Sequence, residues 1–367
     1  MHPTFEKILI VKLSSLGDIA HSLPVLCSLR KNYPKAHIAW AVESKFSDFL
    51  ENHPDLDEII EVQTQKWRRH WTPSSFMEAW GLIKSIRETE FDLVIDLQGL
   101  IKSSLITGFS GVAKRLGFQK NDCREPLSAW ATNIKAPGTG HIPHIIDKNM
   151  ALLEPLGVFR EEPRFRVTTC KEASLYIEQQ LAPTLKGETT KPVALHAGVG
   201  YPTKAWPLER FAALADHIHR EFDAPILLTW GPQDRDRAEG IGKLMKEPFA
   251  LAPETASLQH ALALYQKLRL FICGDTGPLH LCVALNIPTV SIYGPTDPAR
   301  NGPYGPIHEV LVKPQECSFC FKRTCPTEME CMKAVEVEDM LTAVRRRLQL
   351  AAGASTSGLT EGDIYGT

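Results

Sequence analysis

One pattern limits what this chain can fold into more than any other. Short apolar runs are each followed by a stretch with helical spacing, and the series occurs twice. The first series passes from KILIV (7–11) through HIAWAVE, DEIIEV and FDLVIDLQ; after the polar break LKGETTKP (185–192) a second restarts at VALHAGV and continues through APILLTW, RLFICGD and TVSIYG. Apolar runs separated by amphipathic segments read as βα units, which predict an α/β fold with largely parallel sheets. A chain of 367 residues exceeds what one core organises, so two domains are expected. The reading is an N-terminal Rossmann-like domain over 1–170 and a second over 185–335, with a hinge in 160–190. A final helix over 336–351 and a small, polar, disordered tail over 352–367 complete it. Two such domains facing each other leave a cleft at the C-terminal ends of both sheets, where ligands bind.

Charge and apolar patterning exclude some partners. Lysine and arginine (41) nearly balance aspartate and glutamate (43), a net charge of -2 that suggests no nucleic-acid partner. No apolar run approaches the roughly 18 residues of a membrane span. The start, MHPTFEKILIVKLSSLGD, lacks the build of a secretory leader. A cytoplasmic protein is expected, with association at a membrane surface left open. Five of the nine cysteines are scattered, and four cluster as Cys317, Cys320, Cys325 and Cys331. Zinc ligation, packed thiols and disulfides all remain readings of that C-x2-C-x4-C-x5-C spacing.

Two stretches carry the chemistry. In KLSSLGDIAHSLPVL (12–26) a strand runs into a turn of small residues and then a helix, with one carboxylate, Asp18, in the turn. Such a turn suits a sugar or phosphate; the plain alternative is that Asp18 only caps the first helix. In FICGDTGPLHL (271–281) a strand ends at Gly274-Asp275-Thr276-Gly277 and a helix starts at once. Thr276 and Gly277 would offer backbone N–H groups to a diphosphate, with His280 one turn on. An ordinary cap with a glycine turn is the alternative. No Asp-x-Asp pair stands at a strand end, so no metal site is assigned.

Taken together, ILIVKLSSLGDIAHSLPVL, DLVIDLQGLIKSSLIT, CREPLS, HAGVGYPTKAWP, WGPQDRDRA, GDTGPLHL and YGPTDP resemble, in order, the blocks of the bacterial heptosyltransferases, glycosyltransferase family nine, from about Lys7 to Leu348. The resemblance implies a GT-B fold, two Rossmann-like domains across a cleft, with the acceptor on the N-terminal side and an ADP-sugar on the C-terminal side. It implies inverting transfer of heptose from ADP-L-glycero-β-D-manno-heptose to a Kdo hydroxyl of Kdo2-lipid A in lipopolysaccharide inner-core synthesis. The setting it implies is the cytoplasmic face of the inner membrane, with the protein held peripherally. A different lipopolysaccharide acceptor is the nearest alternative; a non-catalytic nucleotide-sugar binder and an epimerase are weaker ones. No cofactor is required, and stimulation by Mg2+ stays open.

Residue by residue, Asp18 matches the family's catalytic base, with Ser14, Ser15 and Gly17 giving room for the acceptor sugar. Lys204 in PTKAWP matches a phosphate-contacting lysine. Asp275, Thr276, Gly277 and His280 match donor-binding positions, and Gln233 falls near a ribose-contacting residue. On the acceptor side, Gln98–Arg124 holds Lys102, Lys114, Arg115, Lys120 and Arg124 against Asp122 alone, a local +4 suited to carboxylates and phosphates. Of these, Lys102 and Arg124 are taken as acceptor contacts, together with Arg68 and Arg69 of KWRRHW. Each also reads as an ordinary solvated surface cation.

Overall fold

The computed structural model describes residues 4–69, 72–185 and 190–356. Trp71 and residues 357–367 of the expected tail lie outside the described residues, as do the side chains of Arg68 and Arg69. The chain forms two compact units, Met1–Cys170 with Ala299–Asn301, and Lys171–Pro298 with Gly302 onward.

The first unit is built on β1 (Lys7–Val11), β2 (His37–Glu43), β3 (Glu58–Val62), β4 (Leu93–Asp96), β5 (Lys114–Gly117) and β6 (Ile134–Lys135). These strands are parallel in the order β3-β2-β1-β4-β5-β6. The second unit holds β7 (Val193–His196), β8 (Ile226–Thr229), β9 (Ala250–Leu251), β10 (Leu270–Gly274), β11 (Thr289–Ile292) and β12 (His308–Leu311), parallel in the order β12-β11-β10-β7-β8-β9. Numbered from the first strand of each unit, the two orders are the same. Each reverses direction beside its first strand: between β1 and β4, and between β7 and β10. Open parallel sheets bind ligands at that switch point, outside the strands' C-terminal ends.

In chain order the helices are α1 (Leu16–Ala20), α2 (Leu23–Asn32), α3 (Thr64–Arg69), α4 (Pro73–Glu88), α5 (Ile101–Phe109), α6 (Ile145–Ala151), α7 (Lys171–Thr184), α8 (Leu208–Phe222), α9 (Arg235–Leu244), α10 (Leu258–Tyr265), α11 (Gly277–Ala284), α12 (Pro298–Asn301), α13 (Glu330–Lys333) and α14 (Val337–Thr356). Residues Ile8–Val11 are completely buried, as a parallel strand covered on both faces must be. In the first core Leu9, Val11, Ala39 and Val94 pack with Ile106 of α5. In the second, Val193, Leu195, Leu228 and Ile272 pack with Phe211 and Leu214 of α8 and Leu341 and Val344 of α14. The last helix is therefore part of the second core, and it continues through Thr356, into the segment expected to be tail.

Other expectations shift locally. The single helix expected after β1 is two, α1 and α2, because Pro24 lacks the N–H a helix interior needs and suits a helix's first turn. After β2 the chain forms a 3-10 helix, Ser44–Leu50. The segment 171–184, inside the expected hinge, belongs to the second unit, where Tyr176 stacks on His260 with centroids 4.3 Å apart. The basic run 98–124 is not one patch. Lys114 stands opposite Leu93 at the start of β5, the sheet end away from the switch point. The Arg115 guanidinium is taken up by the Val112 and Ala131 carbonyls at 2.6 and 2.7 Å.

Candidate functional site

Each switch point carries a cluster of polar side chains. In the first unit, the loops after β1 and β4 are bound to each other. Gln98 Oε1 accepts from Leu13 N–H (2.6 Å) and Ser14 N–H (3.3 Å), while its Nε2 donates to Ser14 O (2.9 Å). Lys102, on α5, donates to Ser14 Oγ at 2.5 Å. Buried Lys12 crosses behind them and donates to Leu97 O at 2.8 Å. Asp96 anchors the second loop, accepting from the Gln98 and Gly99 N–H groups and from Ser103 Oγ.

Asp18 lies in this cluster, in the first turn of α1, whose N-cap is Ser15. Its Oδ2 accepts from Ser15 N–H (3.0 Å) and Ser15 Oγ (2.9 Å). The capping role is therefore real. It does not account for Lys12, a buried ammonium beside a half-buried carboxylate. Burial disfavours the Asp18 charge, but Lys12, the Ser15 hydrogen bonds and His21 outweigh it and hold the carboxyl below its ordinary range. Asp96 goes the other way, pushed up by burial despite its three donors. Of these two carboxylates, Asp18 is the one whose ionised form its surroundings favour.

In the second unit, Asp275 follows β10 and is nearly buried. Lys204 donates to its Oδ2 at 2.5 Å, and His280 Nε2 lies 3.5 Å from Oδ1. Burial opposes the Asp275 charge, yet His280 and Lys204 together carry its pKa far below the usual carboxylate value. The same charge, after burial, helps keep the Tyr293 phenol protonated. Lys204 is set by its surroundings: it ends the short turn Pro202–Lys204, its ammonium sits 4.6 Å from the Tyr201 ring centre, and the following Trp206 is buried with its indole N–H on Val335 O (2.9 Å). An ammonium carries three protons, so one that bonds Asp275 can also donate to a ligand oxygen.

Thr276 is the N-cap of α11 and Gly277 its first residue, so the Gly277 and Leu279 N–H groups open the helix without intrahelical partners. Thr276 Oγ1 is buried with the weakly bonding Cys273 thiol beside it. Thr296 Oγ1, in the YGPTDP loop after β11, is buried with no hydrogen-bond partner among the described residues. Buried hydroxyls of this kind are ones a polar ligand would satisfy.

The structure thus brings together Ser14, Ser15, Gly17, Asp18 and Lys102 in one unit, and Lys204, Asp275, Thr276, Gly277 and His280 in the other. Arg124 is exposed on the loop after β5, and Gln233 is exposed on the turn before α9. Beside Gln233, the carboxylate of Asp234 reaches the loop after β7. A Cβ on Gly198 would lie 2.4 Å from Asp234 Oδ2 and 2.5 Å from His196 Nε2, so only glycine fits there. Lys12, Gln98, Asp234 and Thr296 were not singled out from sequence. Each lies inside or directly beside a motif block, which is the signal that would have found them.

Cysteine clusters give no ready metal site. Cys27, His53 and Asp55 have ligand atoms within 4.8 Å of one another. However, His53 Nε2 donates to Phe165 O (2.8 Å), its Nδ1 accepts from Asp55 N–H (3.2 Å), and Asp55 Oδ1 holds Arg166. The ring keeps no lone pair for a cation. In the 317–331 loop, no three of the four thiols come within 4.8 Å of one another. The Cys325 thiol is lowered by hydrogen bonds from Thr327 and from the Met329 N–H (3.2 Å).

The sequence profile of glycosyltransferase family 9 (heptosyltransferase) matches residues 79–330. Lipopolysaccharide heptosyltransferase 1 of Pseudomonas aeruginosa is 31% identical over 327 residues, 88% of this chain and 89% of that protein. Among solved structures, a family 9 glycosyl transferase from Veillonella parvula superposes with a TM-score of 0.84 at 23% identity, covering 95% of this chain and 99% of its own. The E. coli heptosyltransferase WaaC with ADP-2-deoxy-2-fluoro heptose superposes with a TM-score of 0.73 at 23% identity, covering 93% and 99%. These likenesses establish the fold: the two parallel six-stranded sheets are those of a GT-B glycosyltransferase.

Proposed function

Because this chain belongs to glycosyltransferase family 9, the heptosyltransferases, we propose that it transfers L-glycero-D-manno-heptose from ADP-heptose to the Kdo region of Kdo2-lipid A. The observation that carries the reading is Asp18 itself, a half-buried carboxylate at the first switch point, bonded to Ser15 and kept ionised in the field of the buried Lys12.

In the proposed reaction an acceptor hydroxyl attacks the anomeric carbon on the face opposite the diphosphate. Asp18, already ionised, takes the hydroxyl proton as the new bond forms. ADP departs as the C–O bond to the diphosphate breaks, which inverts the anomeric centre. Lys204 and the N–H groups opening α11 meet the charge that builds on the leaving group. Asp275 and His280 hold Lys204 in place. Thr276 and Gly277 bind diphosphate oxygens, and Gln233 or its neighbour Asp234 contacts ribose hydroxyls. On the acceptor side Ser14, Ser15 and Gly17 admit the sugar, while Lys102, Arg124, Arg68 and Arg69 face its carboxylates and phosphates. The site of action is the cytoplasmic face of the inner membrane, where a nucleotide sugar meets a lipid. No helix among the described residues is long and apolar enough to cross a membrane, so the association would be peripheral.

The test is ADP release from ADP-heptose with and without Kdo2-lipid A, followed by mass analysis of the lipid. Acceptor-dependent release with one heptose added supports the proposal. Transfer only to a lipid already carrying one heptose would reassign the acceptor, and ADP-heptose binding with no transfer to either lipid would sink the enzymatic reading.

A further inference from the structure

The first unit carries an apolar surface that the chemistry at Asp18 does not use. On α5 the exposed positions are Ile101, Leu105 and Phe109, spaced four apart and 43–48% exposed. A helix face toward water is normally polar; here every exposed residue on it is large and apolar. The 3-10 turn Pro126–Ala131 sets Leu127 and Trp130, 72% and 57% exposed, beside that stripe. Trp130 meets Phe109 edge-on with centroids 6.1 Å apart, and a Cβ on Gly108 would lie 2.3 Å from the Trp130 ring. Helix α4 adds exposed Phe76, Met77 and Trp80. Arg87 joins the two helices: its guanidinium lies 6.0 Å from the Trp80 ring centre and donates to Phe109 O at 2.8 Å. Clustered apolar side chains on this scale mark an interaction surface rather than ordinary scatter.

The border of this surface is cationic. Arg87, Lys102, Arg124 and Lys135 lie along it, with Lys135 donating to Ala129 O at 2.5 Å. Of the carboxylates nearby, Glu125 accepts the Ile101 N–H at 2.6 Å, and Glu78 and Glu88 on α4 are paired with Lys66 and Lys84. Protruding aromatic and aliphatic side chains ringed by cations fit a bilayer interface: the apolar tips enter the acyl boundary and the cations meet lipid phosphates. The same helix joins this surface to the acceptor loop, since α5 bears the apolar stripe on one side and Lys102, bonded to Ser14 Oγ, on another.

We propose that α4, α5 and the 126–131 turn dock the first unit onto an anionic bilayer, so that a lipid held in that bilayer presents its sugar to the Asp18 loop. The inference rests on the proposed lipid acceptor for its purpose, but its test is independent of turnover. The purified full-length protein and a Leu105→Gln/Leu127→Gln double variant would be sedimented with phosphatidylethanolamine–phosphatidylglycerol vesicles and with phosphatidylcholine vesicles. Both would also be assayed on Kdo2-lipid A embedded in vesicles and on its water-soluble deacylated form. The wild type should bind the anionic vesicles preferentially. The double variant should bind about tenfold less and lose embedded-acceptor transfer in proportion, with transfer to the deacylated acceptor unchanged. Wild-type protein that ignores anionic vesicles, or a variant that binds them equally, would overturn the proposal. So would self-association abolished in the variant without vesicle binding, because the face would then join copies of the chain. Vesicle binding without transfer to the deacylated acceptor would leave the docking face standing and count against the catalytic proposal.

Discussion

The two units share one strand order, and each places a carboxylate between a strand at its switch point and the helix that follows or within that helix's first turn, yet the two carboxylates are treated oppositely. Asp275 is bound by Lys204, approached by His280 and almost wholly buried. It cannot accept a proton without releasing that cation, and in the proposed reaction it would position Lys204. Asp18 is half-buried; its partners are the backbone and hydroxyl of its own cap, with a buried lysine behind it. That arrangement keeps it ionised without enclosing it. A common topology fixes where polar chemistry can sit; the local partners decide whether an acid acts as a base or as a fastener.

The comparison can be broken most sharply at the two carboxylates. Asp18→Asn keeps an oxygen for the Ser15 N–H, so the fold should hold while turnover falls by about 10²–10⁴. Unchanged turnover would make Asp18 a cap and nothing more. Asp275→Ala leaves the Lys204 charge without its carboxylate partner in a nearly buried place, a loss of about 3–5 kcal/mol of stability in denaturant titrations. The sign with pH follows from the depressed Asp275 pKa. Its contribution is full above the ordinary carboxylate pKa of about 3.9 and shrinks as pH falls below it. The gap between wild type and Asp275→Asn should therefore close in acid, and a gap that widened there would reverse the assignment.

Gln98→Leu removes the bonds that join the loops after β1 and β4, and a loss of roughly tenfold in kcat, with donor KM unchanged, is expected. The smallest effect is a flat line. Because Asp18 is held below its ordinary range, kcat/KM should show no acid limb from this carboxylate between about pH 5 and 8. A limb there that disappears in Asp18→Asn would show the carboxyl is not held low.

Much of this was legible in sequence because the signal was local. The strands β1, β4, β7 and β10 are continuous apolar runs, since both of their faces are covered, and the Asp18 and Asp275 turns interrupt them abruptly. What stayed hidden depends on pairings across long separations. Gln98 meets Ser14 across 84 residues, and Lys204 meets Asp275 across 71; no periodicity reports such a pair. The short strand β5 sits in a stretch whose composition reads as a basic patch. Counting its charge therefore merged Lys102 and Arg124 with Lys114 and Arg115, which the parallel register sends to the other end of the sheet. The apolar stripe of α5 stayed hidden because spacing alone does not say which face of a helix is covered.

In the proposed reaction the two switch points divide the labour, with the base in the first unit and the donor cradle in the second. Calorimetric titration of ADP-heptose into Asp18→Asn and into Lys204→Gln tests it directly, the glutamine amide retaining a donor toward Asp275. The account predicts wild-type affinity in Asp18→Asn and affinity at least about tenfold weaker in Lys204→Gln. Weakened donor binding in Asp18→Asn beside normal binding in Lys204→Gln would contradict it.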